Sequence, residues 1–356
     1  MTFEGNVFCE DNVFRYGIVE TENDIITDIN IIDDETKGNR YVIPGLIDVH
    51  LHGAFGYDIC DASVESIKKI SEYEKEHGII GFVGATMTLP SDEVESILSE
   101  AGKCCNSKEG LLGICLEGPF ISPNRKGAQK LEHIVRPSVE LLKEFQDISG
   151  NNLKYVVVAP EECRLEGGFK EFATGAEELG INVCIGHSDA SYDVAMNAFN
   201  DGANEVTHIF NAMSSFDKRS PGVVGAAFDS DAYIELIADG NHVHPAMVRM
   251  VFNAFSDNKI LLVSDSMMAT GMEDGEYLLG GQKVLVKGNK ATLESGTLAG
   301  GATNLFDCMI NVIKMGVSIE KAVMAATVNP AHSLGVDDYF GVVKKGCDGH
   351  LVCFDL

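Results

Sequence analysis

The sequence predicts an α/β protein: a (β/α)8 TIM barrel with a small β-sandwich domain formed from both chain ends. Three observations lead there. Eight strand-length apolar runs alternate with amphipathic segments between residues 41 and 335; both chain ends read as short β-strands; and strand after strand closes on a His, Glu or Asp. Eight β–α units in a row favour a closed parallel barrel over an open doubly wound sheet. A closed barrel also brings its strand ends to one mouth, where barrel active sites lie.

The first element is the N-terminal β unit, residues 1–44. Runs such as Gly17-Ile18-Val19-Glu20 and Asp24-Ile25-Ile26-Thr27-Asp28 alternate or are β-rich, and turn-forming Asn, Asp and Gly separate them. Residues 338–356 read the same way, so the two ends are expected to pair beside a central domain spanning 45–337. Within it the predicted strands are 42–50, 79–86, 111–117, 155–159, 182–187, 205–210, 233–239 and 260–265. Helical periodicity covers 64–77, 91–104, 138–148, 169–179, 190–200 and 245–255. After the eighth strand, Gly280-Gly281 and Gly288-Asn289 punctuate β-prone runs. This predicts a β-hairpin insertion near 275–295, followed by closing helices over 304–315 and 319–334.

Composition narrows the function classes. Lys and Arg number 27 against 54 Asp and Glu, a net charge of −27. Such a surface repels phosphate backbones and anionic lipid, so neither nucleic acid nor membrane is an expected partner. No apolar run approaches the ~20 residues of a membrane span. The first ten residues lack the basic and apolar regions of a secretory signal. The ten cysteines, several inside apolar runs, then read as reduced thiols in a cytoplasmic protein. The adjacent Cys104-Cys105 at a helix end reads as a half-exposed pair.

The chemistry lies in the strand ends. His50 and His52 are two apart in a strand and so face the same side. Glu117 closes the third strand before Gly118-Pro119, a sharp exit. His187, His208 and Asp265 follow the fifth, sixth and eighth strands. Each alone has an ordinary structural explanation; six such residues at the strand ends of one barrel do not share one. Imidazole and carboxylate without thiolate suit a divalent metal: zinc first, with iron, manganese or cobalt as alternatives. Glu117, His187 and His208 give three ligands and an open position. His50 and His52 offer a second position, so one or two metals per chain are expected, with Glu117 able to bridge. A metal lowers the pKa of a coordinated water towards neutrality, and Asp265 at the same mouth can carry the proton to a leaving amine.

Over most of its length the chain resembles the amidohydrolase superfamily, and within it the N-acetylglucosamine-6-phosphate deacetylases. The segments are Pro44-Gly45-Leu46-Ile47-Asp48-Val49-His50-Leu51-His52-Gly53, Leu116-Glu117-Gly118-Pro119-Phe120, Gly186-His187-Ser188-Asp189-Ala190, Thr207-His208-Ile209-Phe210-Asn211-Ala212-Met213, Asp239-Gly240-Asn241-His242-Val243 and Val263-Ser264-Asp265-Ser266. The resemblance implies Glu117, His187 and His208 as principal metal ligands and Asp265 as catalytic acid and base. It implies a substrate-phosphate contact at Asn211 and Ala212, a phosphate-binding Arg219 reaching the neighbouring site of a homodimer, and His242 at the sugar or the scissile acetyl group. The activity implied is removal of the N-acetyl group from N-acetylglucosamine 6-phosphate, giving glucosamine 6-phosphate and acetate. The alternatives are the galactosamine isomer or another small amide and, remotely, a non-catalytic sugar-binding barrel. This chain keeps both His50 and His52, which some members lack. It carries Gln129 where many members place a substrate-contacting His. The other histidines, His77, His133, His244, His332 and His350, have no motif behind them.

Overall fold

The structure, a computed structural model, describes residues 1–105 and 110–356. Its N-terminal strands are β1 (Thr2–Phe8), β2 (Phe14–Glu22), β3 (Ile25–Asp33) and β4 (Arg40–Pro44). The barrel strands follow as β5 (Leu46–Leu51), β6 (Ile79–Ala85), β7 (Leu111–Glu117), β8 (Leu153–Val158), β9 (Asn182–Ile185), β10 (Glu205–Val206), β11 (Tyr233–Ile237) and β12 (Ile260–Val263). After them come β13 (Gly275–Leu279), β14 (Gln282–Lys287), β15 (Lys290–Leu293), β16 (Leu298–Gly301) and, at the C-terminus, β17 (Leu351–Asp355). The five end strands form one sheet in the order β17-β4-β1-β2-β3, with β17 antiparallel to β4 and Leu351 opposite Pro44. Pro44 is followed after one residue by β5, so this pairing fastens the C-terminus beside the entry to the barrel.

The eight barrel strands run parallel in chain order, as the β–α alternation predicts. Their inward faces carry branched and small residues such as Ile47, Val49, Val83, Val157, Cys184, Ile237 and Val263, all buried in one cluster. Their outward faces pack on helices, and hydrophobic residues at helical spacing supply the other half of that layer. The helix α1 (Val64–Glu76), for example, starts on the Ser63 hydroxyl, which accepts from the Ser66 amide, and buries Ile67 and Ile70. The ring closes between the last strand and the first. The Asp265 amide donates to the His50 carbonyl at 3.0 Å, and the Ser264 amide to the buried Asp48 carboxylate at 3.3 Å. Burial pushes the Asp48 carboxyl up to about 7 against the hydrogen bonds from Ser264 and His50.

Several boundaries differ from those predicted. Strands 182–187, 205–210 and 260–265 end early, at Ile185, Val206 and Val263. The cause is local: His187, His208 and Asp265 have φ of 46°, 30° and 49°, a left-handed backbone that cannot continue a ladder. The predicted hairpin is a four-stranded antiparallel meander, β13-β14-β15-β16, running to Gly301. The Gly-rich sequence of β16 hides its strand character. The predicted helix over 319–334 is two, Ile319–Ala326 and Val328–Leu334, broken at Thr327 (φ −133°, ψ −71°). A short helix over Gly222–Phe228 was not predicted. Cys104 and Cys105 are both buried rather than half-exposed, because the helix end turns them onto the core. No helix among the described residues is long and apolar enough to cross a membrane.

Candidate metal centre and active site

Glu117 sits at the centre of the mouth, at the end of β7. Gly118 behind it has φ 81°, and a Cβ there would meet the Thr88 hydroxyl oxygen at 2.0 Å, so only glycine allows this exit. The two Glu117 oxygens face different histidines. Oε1 lies 3.0 Å from His187 Nε2 and 3.0 Å from His208 Nε2; Oε2 lies 3.1 Å from His52 Nε2. His50 Nε2 is 3.7 Å from Oε1. Across the opening, Asp265 Oδ1 is 3.3 Å from His52 Nε2 and 3.8 Å from His50 Nε2. Two groups of three thus form, Glu117 with His187 and His208, and Asp265 with His50 and His52. Within each, the ligand atoms lie within 4.8 Å of one another.

The ring orientations suit metal binding. His187 Nδ1 is 3.0 Å from the Arg125 carbonyl, His52 Nδ1 3.2 Å from the Ala85 carbonyl, and His50 Nδ1 3.0 Å from Glu235 Oε2. Each acceptor fixes a proton on Nδ1, so that a metal displacing the proton on Nε2 would meet a lone pair facing the mouth. The His50 Nε2 atom is buried with no hydrogen-bond partner, which an imidazole tolerates poorly unless a metal takes the lone pair. Nitrogen and oxygen donors, closely spaced and without thiolate, therefore fit a divalent metal.

Charge in the cluster is tightly balanced. Burial raises the Glu117 carboxyl, but the charge of His50 and hydrogen bonds from His187 and His208 outweigh it, holding it well below the usual carboxylate range. Burial likewise raises Asp265, and the hydrogen bond and charge of His52 bring it below its ordinary value. His52 moves the other way: burial lowers it, and Asp265 and Glu117 push it up to about 10.

A cavity of about 240 Å³ opens above this cluster. His52, Glu117, His187, His208 and Asp265 line its floor, with Asn211, Ala212, Gln129 and His242 around them. His242 Nδ1 is 2.8 Å from Asp239 Oδ2, and Asp239 Oδ1 accepts the amides of Asn241 and His242 at 2.9 Å each. Gln129 is tied to the protein: its oxygen accepts the Thr88 amide at 2.7 Å and its amide donates to Glu117 Oε2 at 3.0 Å. Arg219 lies on an exposed turn outside the cavity lining, its amide donating to Asp217 Oδ1 at 2.9 Å.

The meander supplies the rest of the wall through Leu279, Thr297, Leu298 and Gly300. It is sewn to the strand end at Asp265, because the Gly301 amide donates to the Asp265 carbonyl at 2.6 Å and the Gly301 carbonyl accepts from the Met267 amide at 2.9 Å. Sequence reasoning missed these wall residues, and it missed Asp239, Glu235 and Met87. For Glu235 a signal existed: one carboxylate inside the otherwise apolar strand Tyr233–Ile237. Asp239 also had one, standing three residues before His242.

The sequence pattern of the amidohydrolase family, whose members are metal-dependent, matches residues 41–356. N-acetylglucosamine-6-phosphate deacetylase from Bacillus subtilis (strain 168) is 37% identical over 326 residues, 89% of this chain and 81% of that protein. N-acetylgalactosamine-6-phosphate deacetylase from Escherichia coli O157:H7 is 33% identical over 317 residues, 88% of this chain and 83% of that one. Among solved structures, a mutant N-acetyl-D-glucosamine-6-phosphate deacetylase from Mycobacterium smegmatis, in complex with N-acetyl-D-glucosamine-6-phosphate, superposes with a TM-score of 0.91. It is 27% identical, and the match covers 100% of this chain and 95% of that one. A barrel with this histidine and carboxylate mouth, matched along nearly its whole length, belongs to the amidohydrolase family, in the branch of the N-acetylglucosamine-6-phosphate deacetylases.

Proposed function

We propose that the chain hydrolyses the acetamide of N-acetylglucosamine 6-phosphate to glucosamine 6-phosphate and acetate. The observation that carries this reading is Glu117, with histidines at both of its oxygens and Asp265 across the same opening. Glu117, His187 and His208 would hold the principal metal, and His50 and His52 a second, zinc being the best match to the donors and iron, manganese or cobalt the alternatives. A metal bound there supplies Lewis-acid polarisation of the acetyl carbonyl and a more acidic water.

The remaining steps belong to the side chains. Asp265, held as a carboxylate, accepts the proton of the attacking water and returns it to the sugar nitrogen as the C–N bond breaks. His242, its Nδ1 proton committed to Asp239, turns Nε2 towards the cavity. Burial lowers its pKa, but the Asp239 hydrogen bond and charge raise it above the ordinary value, so it can donate to the carbonyl oxygen as charge develops. Asn211 and the Ala212 amide take the 6-phosphate. Among the described residues no Lys or Arg lines the cavity, and we assign the missing cation to Arg219 of a second copy, making the working unit a homodimer. Gln129, spent on Glu117 and Thr88, orients the carboxylate. We divide the chain into the barrel, 45–337, and the β domain of 1–44 and 338–356, and place it in the cytoplasm, all ten cysteines being reduced thiols.

Acetate release tests the assignment. Metal-loaded protein is given N-acetylglucosamine 6-phosphate, its galactosamine isomer and the unphosphorylated sugar in parallel. The glucosamine substrate is expected to have the highest kcat/KM and the unphosphorylated sugar the lowest. No acetate from the first, with turnover of another amide, would discard the reading.

A further inference from the structure

Below the metal centre, inside the barrel, lies a second group of polar side chains with no part in the chemistry above. Cys184, Glu205 and Glu235 are all buried, and their ligand atoms lie within 4.8 Å of one another. Glu235 Oε2 makes two contacts upward: 3.0 Å to His50 Nδ1 and 3.0 Å to the His208 amide. One oxygen therefore holds the ring of a ligand of one metal position and the backbone of a ligand of the other. Glu205 stands behind it. Its Oε2 accepts from the Ser333 hydroxyl at 2.9 Å, and Ser333 is 2.8 Å from the Tyr155 hydroxyl. The arrangement is a column of buried polar side chains from the barrel base to the mouth, hydrogen-bonded from Tyr155 through Ser333 to Glu205 and again from Glu235 to the mouth, with the two carboxylates within 4.8 Å of each other between them.

Such a column is costly unless it has a task. Apolar residues fill the rest of the barrel interior, and two carboxyls in that layer lose hydration that leucine or valine would not need. A short strand such as Glu205–Val206, already paired on both sides, gains nothing from a buried acid. The contacts name the task. Carboxylates that accept from the far nitrogen of a metal-binding imidazole fix its tautomer and raise its basicity. His208 needs this support most: its φ of 30° is strained, and its own Nδ1 is buried without a hydrogen-bond partner among the described residues.

We propose that Glu235 is a positioning residue that sets both metal positions from beneath, orienting the His50 ring and pinning the strained His208 backbone through one carboxylate oxygen, with Glu205, Ser333 and Tyr155 as its support. This rests on the reading that the Glu117 cluster holds metal. The charge of Glu235 matters as well as its shape, because a carboxylate draws the Nδ1 proton more strongly than an amide does.

The test compares full-length parent with Glu235→Gln and Glu235→Leu. Each is stripped and titrated with zinc alone against a chelator of known affinity. Glu235→Gln is expected to weaken zinc binding by about tenfold and Glu235→Leu by up to about a hundredfold. The unfolding midpoint of metal-free Glu235→Gln should stay near that of the parent, which separates positioning from general stability. In metal-free parent, NMR of the histidine rings should find the His50 proton on Nδ1 as a strongly hydrogen-bonded, downfield signal, displaced in Glu235→Gln. If Glu235→Leu does not fold, the near-isosteric Gln variant decides alone. Parent-like zinc affinity and an unmoved His50 signal in Glu235→Gln would overturn the inference while leaving the metal reading intact. A parent that itself binds no zinc, manganese or iron would overturn both.

Discussion

Asp265 is where the chemistry is most sharply testable. It faces His52 and His50, yet its backbone, at φ 49°, is held by the closing bond to β5 and by Gly301. Asp265→Asn keeps size and most contacts but cannot shuttle a proton. Its kcat should fall by about 10²–10⁴-fold, with metal per chain, read by elemental analysis, close to the parent value. A variant within a few-fold of parent turnover would remove Asp265 from the proton path. Asp239 makes a subtler case. Asp239→Asn removes the carboxylate charge that favours the imidazolium; a neutral ring whose Nδ1 accepts from the Asn amide carries its proton on Nε2 and donates it less readily than the cation does. The expected loss is about 10²-fold in kcat with little change in KM. Because Asp239 raises His242, the alkaline limb of the kcat profile should also move to lower pH; an unmoved limb would show that His242 does not titrate in turnover.

At the scale of elements, the sequence placed the barrel strands well and their ends poorly, for one physical reason. Apolar alternation reports burial, and burial continues past the last ladder hydrogen bond. Residues at His187, His208 and Asp265 remain buried while their backbone leaves the strand. Periodicity cannot register a change of φ. The metal-ligand candidates were legible because residue type alone marks them, whereas Glu235 acts through contacts to residues distant in sequence and Asp239 through a local loop geometry that periodicity does not report. The meander was only half visible, since Leu298–Gly301 is mostly glycine and alanine and its strand character comes from pairing with Lys290–Leu293.

The seam between β12 and β5 makes a pH prediction at this same scale. Asp48 is buried, accepts from Ser264 and His50, and has its carboxyl raised to about 7 against 3.8 in the unfolded chain. Between those values the folded state holds a proton that the unfolded state has released. The term therefore makes stability fall as pH rises from about 4 to about 7, and level off above. Asp48→Asn keeps an oxygen for the two amides and removes the titration. The difference in unfolding free energy between variant and parent should grow in the variant's favour across that window, by on the order of 4 kcal/mol at most. Denaturant unfolding at a series of pH values checks it, and parallel curves would refute it.

On the scale of the whole molecule, charge and oligomer become one question. A chain of net charge −27 must admit a phosphorylated sugar into a cavity that, among the described residues, no Lys or Arg lines. Carboxylates already crowd its floor, so an anion arriving there needs a cation from elsewhere. Arg219 is exposed, sits on the turn after the Asn211-Ala212 segment and, among the described residues, is engaged through its backbone amide, which leaves the guanidinium for a neighbour. Arg219→Ala should therefore raise KM for the phosphorylated sugar at least tenfold, with a smaller effect on kcat, while Asp265→Asn removes kcat. Mixing the two variants, each weak at subsaturating substrate, gives the decisive readout. In a mixed dimer the subunit with intact Asp265 receives Arg219 from its partner, so one site of the two is whole. Random exchange makes half the dimers mixed, and activity at subsaturating substrate should return to about a quarter of the parent value. Recovery requires subunit exchange, which a mass-tagged partner measured by native mass spectrometry verifies in the same sample. Exchange without recovery would place Arg219 in its own subunit's site, or in none.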